Sequence, residues 1–210
     1  MEERPSPNCG ARRDGLQPEL VVIHYTAMES AEAALDRLCD QQAEVSAHYL
    51  ITLSGKVVRL VDEAQRAWHA GAGHWCGAGD VNSRSIGIEL DNRGTHPFPA
   101  AQMDALCALL GGVMARWDIP AGGVIGHSDM APGRKVDPGP RFDWGRLERC
   151  GLAAPAKSVA PQEIGEDSFR AAAREAGYTA DVAFDVLLAA VRLRRAPWRR
   201  GPLTVDDYRF

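Results

Sequence analysis

Residues 20–26, LVVIHYT, form an apolar and β-branched run that predicts a buried strand, with His24 and Thr26 at its end. The same pattern recurs in SIGIEL, residues 85–90, where Glu89 stands next to the last position. Both predicted strands therefore end close to a side chain that can bind a metal or transfer a proton. A lone histidine at the end of an apolar run is more often a hydrogen-bonded structural residue, so His24 needs support from other residues.

Helical patterns separate the predicted strands. Ser30 is a typical helix N-cap, and alanine and leucine residues follow it at helical spacing. The segment from Pro99 to Trp117 has the apolar stripe of an amphipathic helix, and GGVIGHS at residues 122–128 predicts a strand after it. This alternation predicts an α/β fold with a mixed central sheet flanked by helices.

Two further stretches have distinct local signals. HYLITLSGKVVRLV, residues 48–61, contains two strand-like runs around Ser54-Gly55, which is typical of a β-hairpin. Residues 68–84 are rich in glycine and show no periodicity, so they predict a long irregular loop. A long loop inside a compact domain is usually functional or disordered.

The composition changes near residue 152, which suggests two unequal parts. We expect the main domain over residues 1–153 and a small helical segment over residues 162–210, joined by the Pro/Ala-rich stretch LAAPAKSVAPQ. The second part has only two helical patterns and is too small to fold well by itself. We therefore expect it to dock on the first part.

Charge and cysteine content exclude several classes of protein. The 210-residue chain has a net charge of −4, which argues against a nucleic-acid backbone as the main partner. Its five cysteines are scattered and form no CxxC pair, so we expect neither a disulfide framework nor a zinc–thiolate site. No signal peptide or membrane span is visible, so a cytoplasmic location is the default expectation, and a periplasmic location is the alternative if a leader has been removed.

One metal site can be assembled from distant parts of the chain. His24, His127 and Asp137 supply two imidazoles and one carboxylate, which together leave a position open as in catalytic zinc sites. Glu89 adds a carboxylate that can act as a base, and Lys135 adds a cation. Such a set can hydrolyse an amide with water activated by the metal.

The motifs around these residues resemble the zinc-dependent N-acetylmuramoyl-L-alanine amidases of the amidase-2 type, which are related to phage amidase lysozymes and peptidoglycan recognition proteins. The resemblance runs in order through VVIHYT, VSAHYLI, RAWHAGAG, NSRSIGIEL and GHSDMAPGRKVDPGPRFDW, over about residues 20–150. It implies a mixed sheet with one zinc ion in an open groove. It also implies cleavage of the amide between the lactyl group of N-acetylmuramic acid and L-alanine.

The resemblance assigns roles to individual residues. It gives His24, His127 and Asp137 as zinc ligands, Glu89 as the catalytic carboxylate and Lys135 as the cation that stabilises the oxyanion. The alternatives are a strand-end salt bridge for Glu89 and simple neutralisation of Asp137 for Lys135.

Other polar and aromatic residues near the motifs are candidates for lesser roles. Trp68 and His69 are expected to line the substrate groove, with Asn82 as a polar contact. His48 is expected to be structural. Phage-type members carry a tyrosine where this chain has Ala47, which places more weight on Glu89 as the base.

Substrate, partner and state of assembly are less tightly specified by the sequence. The expected partners are muropeptides or the cell wall, bound by a monomer. The alternative is a module that binds peptidoglycan without cleaving it. Residues 155–210 faintly resemble a small peptidoglycan-binding domain, and their arginine run is either a solvated face or a site for an anionic glycan-peptide. A chain ending after residue 153 is expected to keep its activity on small muropeptides.

Overall fold

A mixed six-stranded sheet lies at the centre of the protein, as seen in a computed structural model that describes residues 1–210. The eight strands are β1 Glu2–Glu3, β2 Cys9–Ala11, β3 Leu20–Tyr25, β4 Tyr49–Ile51, β5 Val57–Arg59, β6 Gln65–Ala67, β7 Ser85–Leu90 and β8 Val124–Gly126. The helices are α1 Ala31–Cys39, α2 Val81–Arg84, α3 Ala100–Trp117, α4 His127–Met130, α5 Trp144–Arg149, α6 Glu166–Glu175 and α7 Phe184–Arg195.

The sheet has the order β1-β5-β4-β7-β3-β8, and β2 pairs with β6 in a separate antiparallel ribbon. Strands β4, β7, β3 and β8 run parallel, whereas β4 and β5 form the predicted antiparallel hairpin. The predicted α/β fold with a mixed sheet is confirmed. Strands β1, β2 and β6 have no counterpart in the sequence prediction, because two- and three-residue edge strands carry too few residues for a periodic signal.

Alternation along β3 divides its side chains between two layers. Val21 and Ile23 face the core under α3 and α5, which buries the apolar stripe of α3 against the sheet. Leu20 and Val22 face the opposite core, which α6 and α7 cover. His24 follows this second set in the alternation, so it lies on the same face of the sheet as the C-terminal helices.

The C-terminal part of the chain shares one apolar core with the sheet. Phe169 and Tyr208 are fully buried in the cluster that also contains Val22, Ile125 and Met130. The stretch between the two parts is also fixed, because the backbone groups of Lys157 and Val159 pair with the last three residues of the chain. No helix of this fold has the length and apolar character needed to cross a membrane.

Three arginines of the C-terminal run, Arg192, Arg194 and Arg195, do not belong to a solvated face, whereas Arg200 is exposed. Arg192 forms an ion pair with Asp207, and Arg195 forms one with Glu148. The side chain of Arg194 is buried as well. These cations are therefore used in internal packing, which corrects the expectation of a solvated face.

Candidate metal centre

The carboxyl ends of three parallel strands bring the candidate residues together. In the ladder between β3 and β7, His24 is the register partner of Glu89. On the other side of β3, Ile23 pairs with Gly126, so His127 follows next to His24. Because these strands are parallel neighbours, residues near their carboxyl ends meet at one edge of the sheet.

The three predicted ligands converge on one point. Nδ1 of His24 and Nδ1 of His127 lie 2.9 Å and 3.0 Å from Oδ2 of Asp137. One ligand atom from each residue lies within 4.8 Å of the others. All three side chains are buried, with relative exposures of 2%, 2% and 7%. Two imidazoles and a carboxylate in this arrangement fit a divalent metal ion with an open coordination position.

The outer nitrogen of His24 is held by a chain of hydrogen bonds. Ser85 donates its hydroxyl hydrogen to the Val81 carbonyl, and its Oγ lies 3.3 Å from Nε2 of His69. Nδ1 of His69 lies 3.0 Å from Nε2 of His24. Because the Ser85 hydroxyl hydrogen is directed to the carbonyl, Nε2–H of His69 donates to Oγ of Ser85. Nε2–H of His24 in turn donates to Nδ1 of His69. This tautomer leaves the lone pair of His24 Nδ1 directed towards Asp137.

The outer nitrogen of His127 has a simpler partner. Its Nε2–H donates to the carbonyl oxygen of Ala70 at 2.9 Å, which leaves Nδ1 as the ligand atom. Arg134 donates to the same oxygen and to the carbonyl of Ala72, and thereby holds the glycine-rich loop against the ligand loop. Neither Ala70 nor Arg134 was singled out from the sequence, because a backbone carbonyl leaves no signal in a motif.

Burial and neighbouring groups shift the pKa values of His24 and Asp137 towards the protonation states that a metal requires. Burial, followed by the proximity of His127, lowers the pKa of His24 to about 4, so this imidazole is neutral at pH 7. Burial acts to raise the pKa of Asp137, but contact with the ring nitrogens of His127 and His24 outweighs it and holds this pKa well below its usual range. Neutral imidazoles and an ionised carboxylate are the forms that bind metal ions.

Glu89 has the environment of a proton-transfer group. Burial, and then the negative charge of Asp137, raise the pKa of Glu89 to about 8. Its Oε2 atom is buried and has no hydrogen-bond partner, and no ion pair involves this carboxylate. The strand-end salt bridge considered from the sequence is therefore absent. Lys135 also forms no ion pair, and the side chains that contact Asp137 are the two imidazoles.

An open cavity of about 400 Å³ surrounds the site. Helix α1 forms one wall, where Arg37 is exposed and no carboxylate pairs with it. The loop that carries His127, Lys135 and Asp137 also lines the cavity. Trp68 and His69, the candidates for lining a substrate groove, both line this cavity, and Tyr25 lines it as well.

The other two candidates lie outside the cavity lining. The amide oxygen of Asn82 accepts hydrogen bonds from the backbone N–H groups of His69 and Ala70, so this side chain shapes the loop that carries them. His48 is buried, and its Nδ1 accepts the N–H of Gly87. A Cβ atom at Gly87 would lie 2.5 Å from the ring of His69, so glycine at this position makes room for that imidazole.

Comparisons with known proteins all match this chain to amidases. Residues 14–140 match the family described as N-acetylmuramoyl-L-alanine amidase. N-acetylmuramoyl-L-alanine amidase AmiD of Escherichia coli is 42% identical over 152 residues, which cover 65% of this chain and 54% of AmiD. The 1,6-anhydro-N-acetylmuramyl-L-alanine amidase AmpD of Citrobacter freundii is 36% identical over 160 residues, which cover 68% of this chain and 86% of AmpD. This chain therefore spans about half the length of AmiD and most of the length of AmpD.

Solved structures extend the likeness over the C-terminal part. The complex of Escherichia coli AmiD with anhydro-N-acetylmuramic acid-L-Ala-D-gamma-Glu-L-Lys has a TM-score of 0.80 at 31% identity, and the match covers 93% of this chain and 89% of that one. AmpDH3 of Pseudomonas aeruginosa has a TM-score of 0.81 at 28% identity and covers 98% of this chain and 92% of its own.

Proposed function

This chain belongs to the N-acetylmuramoyl-L-alanine amidase family, and from that premise we propose that it hydrolyses the amide between the lactyl group of N-acetylmuramic acid and L-alanine in muropeptides. Membership of the family confirms the resemblance drawn from the sequence motifs. The observation that carries the proposed activity is the convergence of His24, His127 and Asp137 beside the unpaired carboxylate of Glu89.

The proposed cofactor is one zinc ion per chain, held by His24, His127 and Asp137. The donor set supports zinc, because two imidazoles and one carboxylate leave a position open for a reactant. A zinc ion bound there supplies Lewis acidity that polarises a carbonyl and lowers the pKa of water towards neutral pH. The hydrogen bonds from His24 to His69 and from His127 to Ala70 keep both imidazoles in the tautomer that presents Nδ1.

Glu89 and Lys135 carry the proposed proton transfer and charge stabilisation. Glu89 accepts the proton of the attacking water and passes it to the departing alanine nitrogen, since an amine leaves poorly unless it is protonated. A pKa near neutrality suits a group that both accepts and donates a proton. The unpaired ammonium of Lys135 stabilises the negative charge that develops on the amide oxygen.

The proposed substrate is a small 1,6-anhydro-muropeptide. AmpD is named for its action on the 1,6-anhydro form, and the AmiD structure contains an anhydro-muropeptide. The γ-linked glutamate of that peptide has a free α-carboxylate. Arg37 is an exposed cation on the cavity wall that can bind such a carboxylate, while Trp68 offers an aromatic face to sugar or peptide. A cytoplasmic location and a monomeric state remain predictions.

Metal analysis combined with an amidase assay tests the proposal. We expect purified protein to contain close to one zinc per chain. We also expect it to release from an anhydro-muropeptide the peptide that begins with L-alanine. Asp137→Ala and His127→Ala should lose most of the zinc, whereas His74→Ala, which changes an exposed loop histidine, should retain it. Stoichiometric zinc in both ligand variants would contradict the metal assignment. Zinc-loaded protein that binds a muropeptide without cleaving it would favour the binding-module alternative.

A parallel assay on polymeric peptidoglycan separates the two substrate classes. We expect the small anhydro-muropeptide to be cleaved with the higher kcat/KM. Faster cleavage of the polymer would contradict the proposed substrate while leaving the amidase activity in place.

A further inference from the structure

The carboxylate of Asp129 is surrounded by donors from two parts of the chain. Asp129 lies in α4, two residues after the metal ligand His127, and it is only 1% exposed. Its Oδ2 accepts the backbone N–H of Gly126 at 2.7 Å. Its Oδ1 accepts the hydroxyl hydrogen of Tyr178 at 3.0 Å, and the guanidinium of Arg194 forms an ion pair with Oδ2. Two of these three donors come from the C-terminal segment, residues 162–210.

Arg194 ties this helix to two further elements. Its guanidinium lies 3.8 Å from the centre of the Trp144 ring, at the start of α5, and donates to the carbonyl of Val124 in β8 at 3.3 Å. The side chain of Arg194 is 6% exposed. A second contact between the segment and the ligand loop is close packing, because a Cβ atom at Gly133 would lie 2.8 Å from Val186 of α7.

Helix α4 controls the position of two metal ligands. His127 is its first residue, and the backbone N–H of the next residue, Ser128, donates to the carbonyl of Asp137 at 2.9 Å. A displacement of α4 would therefore move His127 directly and Asp137 through this hydrogen bond. Removal of one partner from a buried carboxylate is strongly unfavourable, so Asp129 without its C-terminal donors would draw α4 towards solvent or other donors.

We infer that Tyr178 and Arg194 are positioning residues for the metal centre, which they act on through Asp129 and α4. In this arrangement the C-terminal segment preorganises the ligands. The inference rests on the proposed zinc site, and it argues against the expectation that a chain ending after residue 153 works normally. The quantity expected to change is the affinity for zinc, because loss of a group that orients metal ligands typically lowers metal affinity by about 10- to 100-fold.

The test measures zinc affinity of full-length protein by competition with a chromophoric chelator, together with thermal unfolding of the metal-free form. We expect Arg194→Met to weaken zinc binding by about 10- to 100-fold and Tyr178→Phe to weaken it by a smaller factor. Arg195→Met is the matched control. Arg195 is the next residue of α7, is equally buried and has an ion pair with Glu148, but it does not contact Asp129. This control should lose stability and keep its zinc affinity.

Three outcomes decide between the possibilities. Unchanged zinc affinity in Tyr178→Phe, together with unchanged affinity in any folded Arg194→Met protein, would overturn the inference and leave the proposed function intact. An equal loss of affinity in Arg195→Met would overturn it too, because the effect would then follow general destabilisation. Wild-type protein that binds no zinc would instead overturn the proposed function, and this inference with it.

Discussion

His69 places its Nδ1 atom 3.0 Å from Nε2 of His24, on the side of that ring opposite the nitrogen that faces Asp137. The two residues are separated by 45 positions in the chain and meet because the glycine-rich loop folds back over the end of β3. A residue expected to line the groove therefore also orients the imidazole of His24, a proposed zinc ligand.

The first prediction follows from this contact. We expect His69→Ala to lower the zinc affinity by about 10- to 100-fold, because Nε2 of His24 loses the acceptor that fixes its tautomer. Chelator competition measures the change, and His74→Ala serves as a control in the same loop. Wild-type affinity in His69→Ala would restrict His69 to lining the cavity.

A second prediction concerns the base. We expect Glu89→Gln to retain zinc and to lose about 10²- to 10⁴-fold in kcat, because an amide of the same shape cannot accept a proton. Metal content and steady-state kinetics of the same preparation provide the measurement. Activity within a few-fold of wild type would show that the carboxylate is structural and would return attention to Lys135.

A third prediction concerns recognition of the stem peptide. We expect Arg37→Ala to raise KM by about 3- to 10-fold with little change in kcat, because an exposed cation contributes modestly to binding a carboxylate. A substrate in which the glutamate α-carboxylate is amidated should show no difference between the two proteins. An equal effect on both substrates would rule out this charge pair.

A fourth prediction concerns the buried carboxylate of Glu63, which is neither a candidate metal ligand nor part of the cavity lining. Burial acts to raise the pKa of Glu63, but hydrogen bonds from Arg116, Tyr49 and Trp117 outweigh it and lower this pKa to about 2. Because the folded-state pKa lies below the unfolded value of about 4.3, the stabilisation is complete above that value and disappears as the pH falls towards 2. Arg116 is half exposed, so we expect a contribution of about 1–2 kcal/mol at pH 7.

The measurement compares urea unfolding of wild type and Glu63→Gln between pH 7 and pH 3. The variant should be less stable at pH 7, and the difference should shrink as the pH falls. Asp62→Asn, a change at the exposed neighbouring carboxylate, should show no such trend. A difference between wild type and Glu63→Gln that is independent of pH would contradict the assignment.

Local patterns in the sequence determined the central strands, the long helix α3 and the ligand set. Apolar runs are local signals, and the motif residues His24, Glu89 and His127 stand at the ends of such runs, so parallel pairing alone brings them to one edge of the sheet. Asp137 and Lys135 follow His127 within a short stretch of the chain, and the match of the motifs to a known family then assigned roles to them. These inferences needed no knowledge of which surfaces pack together.

Only the tertiary structure decided which groups hold those side chains in place. The carbonyl of Ala70 meets His127 across 57 positions, and Arg194 meets Asp129 across 65. Asn82, expected in the groove, instead binds the backbone of the loop that carries His69. Such contacts depend on how separate layers pack around a shared core, and no periodicity or propensity along the chain encodes them.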